Sequence, residues 1–464
     1  MVSYKPSKPI STIKSTNDTL SGRGGLALFV RYLSGICIYP ILHKYFGSLR
    51  KSDKGLPIWN LFMQVFCFFY DGTSKHIVYF DQRAKDDGYA AIVENSPAQM
   101  ASSHTIKRFF KSFGRFAGGF FRKILNQLFV WRLQIERPKV VVMTIDTMVM
   151  DNDEAPKRQG VQPTYKKVKG FQPLQMIWKG KIIDAVFRGG KKNGNAGNTA
   201  LNMIERSVKL IRSTLGEDVL IVLRVDAGFF DEKILQKATD LNVGIIMSGK
   251  MYESVKDHVG TVSAKDWAEF TNGNQQWQYI EFEWSCDIWG RKYRTFYTRA
   301  MTEDGQYLLD FAQSDNVIIT NLGVDDEVLS HCTPEQRDHW LDPITIIDSH
   351  HGRGADELPH RGLKDFGFEE LPFKNFSANQ AFYYCMVIGF FLHETFKEDV
   401  LSEVIPVTSY ATTVRRKVLD IAVKIIRTGG QTILKIPHRT RKSLKFDLLW
   451  SYCNTPPPIP VMDT

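Results

Sequence analysis

Two aspartates, Asp146 and Asp226, each close a mostly apolar run. Val140-Val141-Val142-Met143-Thr144-Ile145 precedes the first, and Leu220-Ile221-Val222-Leu223-Arg224-Val225 precedes the second. Short apolar runs of this kind fit buried strands. An acid at the end of a buried strand is held rigidly at the sheet's edge, so two such strands side by side bring their carboxylates together. Close carboxylates repel, and both stay ionised only with a cation between them. Hard oxygen ligands with open positions suit Mg²⁺, with Mn²⁺ as a substitute. Two such ions activate an attacking oxygen and stabilise a leaving one at phosphorus. A third carboxylate is expected from a helix beside the strands. Glu357 fits, because Arg353, Glu357, His360 or Arg361, and Lys364 would share one face of a regular helix. That face carries one metal ligand between phosphate-binding cations. Asp146, Asp226 and Glu357 are thus candidates for a catalytic and metal-ligating set around two ions, while taken alone the aspartates also fit strand-terminal turns and the Glu357 segment a solvated charged helix.

The elements that must position these acids are legible around them. The run 139–146 reads as a strand, and 172–178 and 181–187 read as a hairpin about Lys179-Gly180. A helix over 198–215, a strand over 218–225, a helix near 232–241 and a strand over 243–247 follow. The order β-β-β-α-β-α-β is that of a ribonuclease H-like core, so the fold class is α/β. Residues 249–345 interrupt it. Runs at 276–286, 291–300, 306–311 and 316–321 look like strands of a separate antiparallel sheet, a β-rich insertion holding five of the nine tryptophans. Helical pattern resumes near Glu335 and reaches about Asp399. The expected organisation is a helical DNA-binding domain at 1–137, a core formed by 138–248 and 346–410, the insertion at 249–345, and a basic segment at 411–464.

Charge is distributed unevenly. The net +10 resolves into +12 over 1–137, −9 over 138–410 and +7 over 411–464. Basic ends suit a polyanion such as DNA, and an acidic middle suits a cation-holding site. Within the N-terminal part, Ser102 and Ser103 can cap a basic amphipathic helix carrying Lys107, Arg108 and Lys111. Glu94-Asn95-Ser96-Pro97 can open a preceding helix, making a helix-turn-helix that places the second helix in a major groove. The longest apolar runs, 61–70 and 381–392, fall short of the ~20 residues of a membrane span. The N-terminus has no apolar signal core. The six cysteines show no metal-ligand spacing and read as buried free thiols. The expectation is a cytoplasmic protein with no membrane partner. The glycine-rich stretch 189–199 does not fit a nucleotide-phosphate loop and reads as a strand-to-helix connection near the active site.

Taken together, these motifs resemble the DDE transposases of bacterial insertion sequences. The resemblance is to the IS-four superfamily, whose last acid lies in Tyr-x2-Arg-x3-Glu-x6-Lys. The chain reads His350-x2-Arg353-x3-Glu357-x6-Lys364. Ile145-Asp146-Thr147 and Leu223-Arg224-Val225-Asp226-Ala227-Gly228 resemble the first and second acid motifs. Gly367-Phe368-Glu369-Glu370-Leu371-Pro372-Phe373 and Ala378-Asn379-Gln380-Ala381-Phe382-Tyr383 are similar to the thirteen-eighty group. The resemblance implies metal-dependent cleavage and strand transfer at terminal inverted repeats, acting on double-stranded transposon ends and target DNA at the bacterial nucleoid. Pairing two ends implies a homodimer. It further implies that Arg353 and Lys364 hold DNA phosphates, that His350 stands where the family has tyrosine, and that Trp284 or Trp289 stacks a flipped base. Two other readings fit the same residues: a ribonuclease H-like nuclease or resolvase outside transposition, and a non-catalytic DNA-binding derivative.

Overall fold

The computed structural model describes residues 10–49, 54–192, 194–273, 275–301, 315–352 and 358–460. A short strand, β1 (Thr19–Ser21), is followed by seven helices: α1 (Leu26–Gly35), α2 (Ile38–Phe46), α3 (Ile58–Asp71), α4 (Tyr79–Arg83), α5 (Asp87–Ile92), α6 (Ser103–Lys111) and α7 (Ala117–Glu136). Next come β2 (Val140–Thr147), the short strands β3 (Met150–Asp151), β4 (Gln162–Pro163) and β5 (Lys169–Phe171), and the hairpin β6 (Leu174–Trp178) and β7 (Lys181–Val186). Then follow α8 (Thr199–Leu215), β8 (Leu220–Val225), α9 (Glu232–Asp240), β9 (Gly244–Ser248) and α10 (Glu253–Thr261). Four more strands are β10 (Ala268–Asn272), β11 (Gln275–Trp284), β12 (Tyr293–Ala300) and β13 (Asn316–Thr320). The chain ends with α11 (Pro334–Leu341), α12 (Pro343–His351), α13 (Leu358–Phe366), α14 (Phe376–Phe396), α15 (Ala411–Val414), β14 (Val423–Thr428), β15 (Gln431–Lys435), α16 (His438–Ser443) and α17 (Phe446–Asn454).

One mixed sheet organises the molecule, in the order β10-β11-β12-β13-β9-β8-β2-β6-β7. The three central strands β2, β8 and β9 run parallel. Parallel strands are covered on both faces, so they read as continuous apolar runs, and this is why they stand out in the sequence. The β6–β7 hairpin turns through Lys179 and Gly180, both at positive φ (44° and 78°), as the favoured two-residue hairpin turn requires.

Three sequence expectations need correction. The strands of 249–345 are not a separate sheet: β13 pairs antiparallel with β9, Ile319 opposite Met247, so β10–β13 prolong the central sheet. The run at 306–311 lies outside the described residues. The helical N-terminal part is present, but it is not a lobe with its own core, because its buried side chains form one continuous cluster with those of the sheet and of α14. Finally, 94–97 does not open a helix. Pro97–Gln99 is a single 3₁₀ turn closed by a reciprocal cap between Ser96 and Gln99, and α5 has already ended at Ile92. Proline fits the first position of that turn, but no helical run follows it.

The hub of the shared core is α14. It is apolar on every side, as a fully buried helix must be, and it packs against α3, α6, α7 and β7. Asn375 caps its start, accepting from the Ser377 and Ala378 amides at 2.8 and 3.3 Å. Among the described residues, no single helix is long and apolar enough to cross a membrane. The cysteines are free, but only Cys67, Cys385 and Cys453 are buried, and Cys37 is exposed.

The position of α13 is fixed from its C-terminal end. Arg415 donates to the carbonyls of Phe69 and Tyr70, in the last turn of α3, and to those of Asp365 and Phe366, which end α13, at 2.7–2.9 Å. The last carbonyls of a helix lack intrahelical partners, and one half-buried guanidinium serves such carbonyls on two helices. Arg415→Leu should therefore lower unfolding stability by about 3–5 kcal/mol, measured by urea denaturation. A loss below about 1 kcal/mol would show that this clamp is dispensable.

Candidate active site

Asp146 and Asp226 follow adjacent positions of two neighbouring parallel strands. Ile145 of β2 is in register with Val225 of β8, and each aspartate comes one residue later. Parallel neighbours lie about 4.8 Å apart, so the two carboxylates leave the same edge of the sheet side by side. They also share a face. Side chains alternate along a strand, which groups Asp146 with Val140 and Val142, and Asp226 with Leu220 and Val222. These valines and Leu220 belong to the cluster that also buries Ile346 and Ile347 of α12, so α12 covers the face from which both acids project. Arg224, two residues before Asp226, donates to the Ser349 carbonyl of α12 at 3.1 Å.

Each acid is steadied locally. Asp146 Oδ1 accepts the Thr147 amide at 2.6 Å, and Asp226 Oδ1 accepts the Gly228 amide at 2.9 Å at the start of a 3₁₀ turn. On the far side of β2, Asp146 pairs with Gln175 of β6. The buried Gln175 donates to the Tyr383 hydroxyl of α14 at 2.7 Å, so the central helix is tied to the strand next to Asp146.

From the other direction α13 approaches Asp146. His360 Nδ1 lies 3.7 Å from Asp146 Oδ2. Burial, then Lys364 and Lys166, hold the His360 imidazole down to about 4, so the ring is neutral at pH 7. A carboxylate nearby would favour the charged ring, but desolvation outweighs it. Asp146, Tyr165, Lys166, His360, Arg361 and Lys364 line a cavity of about 140 Å³. Lys364 is also paired with Glu369. Three cationic side chains facing one carboxylate form a site suited to a phosphate held beside a metal-binding acid. Sequence reasoning singled out Lys364 but not Lys166, whose turn precedes β5 and carries no motif. His360 and Arg361 were visible as residues of the helix face.

The remaining expected residues fall as follows. Glu357 and Arg353 lie outside the described residues, whose two flanks are α12 and α13. Among the described residues, no group of three or more His, Cys, Asp or Glu side chains could hold a metal ion. His350 is in the last turn of α12 and is buried, its Nε2 2.8 Å from the Ser248 hydroxyl at the end of β9. Its ring is engaged inside the fold rather than offered to a phosphate. Lys107, Arg108 and Lys111 stand on the exposed face of α6, whose other face buries Ile106, Phe109 and Phe110. Trp284 is 7% exposed, and its indole N–H bonds Ser254 at 3.1 Å, so it is packed rather than free to stack a base. Trp289 is half-buried against Phe230, four residues beyond Asp226, with ring centres 5.0 Å apart.

Two asparagines that sequence reasoning gave no role hold the segment between α13 and α14. Asn152 exchanges hydrogen bonds with the Leu371 backbone, and Asn379 with that of Phe373. The glycine-rich stretch connects β7 to α8, and its Gly194 carbonyl accepts from the buried Arg188. A Cβ on Gly194 would meet the ring of Phe229, in the turn after Asp226.

A family model described as "Transposase DDE domain group 1" matches residues 12–451. No curated protein matches the chain. Among solved structures, a piggyBac transposase synaptic complex with hairpin DNA, determined by cryo-electron microscopy, is similar at a TM-score of 0.42 and 10% identity, covering 86% of this chain and 80% of that one.

The placement of His350 can be tested directly. His350→Ala should lower stability by about 1–3 kcal/mol, read by urea denaturation, and leave the salt dependence of DNA binding unchanged. A surface phosphate contact would give the reverse: full stability and a shallower salt dependence.

Proposed function

The chain belongs to the transposase DDE domain group 1 family, and from that premise we propose that it cuts and joins DNA at the terminal inverted repeats of a bacterial insertion sequence of the thirteen-eighty group. The observation that carries the reading is the pair Asp146 and Asp226, projecting together from the ends of adjacent parallel strands beside a cationic pocket. The strand order β7-β6-β2-β8-β9, with the first three antiparallel and the last three parallel, supports a ribonuclease H-like core.

Asp146, Asp226 and Glu357 are assigned as ligands of two Mg²⁺ ions, with Mn²⁺ as a substitute. Two carboxylates from neighbouring strands fit such ions in donor chemistry. Glu357 is assigned by its motif and by its flanks. It lies three residues before His360, and Ser349 on the other flank is held to Arg224. The chemistry such ions supply is stabilisation of negative charge on the oxygens at phosphorus.

The protein's own side chains bind and orient. Lys364, Arg361 and Lys166 hold phosphate oxygens against Asp146, and Arg353 extends this contact. In the first step water adds at the phosphorus of the element's end and the 3′-oxygen leaves, taking up a proton. The freed 3′-hydroxyl then attacks a target phosphodiester, forming the new bond as the target's own 3′-oxygen departs. Lys107, Arg108 and Lys111 hold duplex backbone away from the pocket. Two ends must be paired, so the working unit is a homodimer on DNA in the bacterial nucleoid.

Asp146→Ala, Asp226→Ala and Glu357→Ala should each reduce cleavage of a labelled terminal repeat to background while the band shift with the same DNA persists. EDTA should do the same to the unaltered protein, and Mg²⁺ should restore cleavage. Normal cutting by any of the three variants would sink the site assignment. A shifted band with no product from the unaltered protein in Mg²⁺ would identify a binder without catalysis.

A further inference from the structure

Between Glu94 and Glu136 the sequence contains no acidic residue and seven basic ones. Arg122 and Arg132 turn inward, to Asp184 and Asp399. Arg108, Lys111, Arg115 and Lys123 are exposed and form no ion pair among the described residues. In their midst Phe116, at the start of α7, is 85% exposed, and Phe120 one turn later is 43% exposed. Spacings of three, four and seven put Phe116, Gly119, Phe120 and Lys123 on one helix face. A Cβ on Gly119, between the two on that face, would meet nothing within 4 Å, so the face is open there. Phe120 is backed by Tyr45, with ring centres 6.1 Å apart. A phenylalanine this exposed gains nothing from folding, because burying it would be worth roughly 1.5–3 kcal/mol.

We propose that Phe116, supported by Phe120, is a wedge that stacks into a base step of duplex DNA whose backbone is gripped by Arg108, Lys111, Arg115 and Lys123. The choice of DNA rests on the transposase reading. The surface itself argues for a polyanion, since four exposed cations without ion pairs lie within eight residues of an exposed apolar tip along the chain. Apolar side chains inserted at a base step, with cations on the flanking phosphates, are a known way to kink a duplex. A second copy of the chain would bring the same positive face against itself in a two-fold contact and be repelled.

The test uses the full chain and a labelled duplex copied from the DNA flanking its coding sequence. Binding is measured by anisotropy across a salt series and bending by energy transfer between the duplex ends. Phe116→Ala should weaken binding about tenfold, abolish the bend and leave the slope of log affinity against log salt unchanged. Phe116→Trp should restore both affinity and bend. Lys111→Gln with Arg115→Gln should instead flatten the slope by about 1.8. Unchanged affinity and bend in Phe116→Ala overturns the proposal. So does failure of Phe116→Trp to restore them in a protein with unaltered melting temperature. A fall to monomer in Phe116→Ala would make the tip a contact between copies. Tighter binding of phosphatidylserine vesicles than of the duplex, lost in Phe116→Ala, would make it a membrane contact; either result rejects the wedge. Cleavage by the unaltered protein on the same duplex in Mg²⁺ is scored separately. The wedge can therefore fail while the transposase reading stands, and the reverse.

Discussion

Two negative charges held side by side at the edge of a parallel sheet are the constraint around which the rest of the molecule is arranged. A one-residue slip between β2 and β8 would exchange the side chains of their two buried faces and carry Arg224 away from the α12 carbonyl that it bonds. The register that buries Ile145 and Val225 therefore also fixes Asp146 beside Asp226. The repulsion built into that register is tolerated because hydrophobic burial on both faces of the strands sets the backbone. Cations then approach from the open edge: Lys166, Arg361 and Lys364 line the cavity with Asp146, and the uncharged His360 lies 3.7 Å from its carboxylate. A protonated imidazole there would compete with a metal for the carboxylate, and burial keeps the ring neutral.

Much of this was readable from sequence, and for a physical reason. Central parallel strands have no solvent face, so β2 and β8 appear as apolar runs with an acid at the end, and the β6–β7 hairpin announces itself through Lys179-Gly180. Long-range pairing was what could not be read. Nothing in 316–320 says that it pairs with 244–248 rather than closing a small sheet of its own, so the β-rich insertion looked separate when it is an extension of the main sheet. The spacing from His350 to Lys364 was visible, but spacing does not report burial, and His350 spends its ring on Ser248 inside the fold. Trp284 was misleading for the same reason. An indole in a polar-rich strand can face either way, and this one faces Ser254. The roles of Asn152 and Asn379 were invisible because each satisfies backbone groups that exist only once the chain between α13 and α14 has turned.

The uneven charge along the chain becomes intelligible once burial is known. Several of the N-terminal cations turn into the fold rather than toward solvent. Arg122 makes a two-point contact with the buried Asp184 of β7 at 2.8 and 2.6 Å. Arg132 joins Glu398 and Asp399 at the end of α14, where the fully buried Lys181 also reaches Glu398. These ion pairs fasten α7 to the hairpin β6–β7 and to the central helix. Breaking one side of such a pair strands a charge in the interior, which is far costlier than the pair is stabilising. The cations left outside are consequently a selected set. They lie on α6, on the first turns of α7 and on the C-terminal segment, and their surplus is available to an external polyanion.

That division of labour bears on how DNA is registered against the acids. A recognition domain on a flexible linker would search for its site independently of the catalytic edge. Here Arg122 sits six residues after Phe116 on the same helix, and its partner Asp184 lies on β7, only one strand removed from β2. With strands about 4.8 Å apart and a helical rise of about 1.5 Å per residue, the cationic tip of α7 and Asp146 belong to one stiff body a few turns across. Any duplex seated on α6 and α7 is then presented to the sheet edge at an offset set by packing rather than by diffusion. An enzyme built this way gives up adaptability in the distance between contact and cut. It gains a fixed point of attack, and the one adjustable element left is the path of the DNA itself. A protruding aromatic ring that bends the duplex supplies that adjustment at the place where the rigid scaffold cannot.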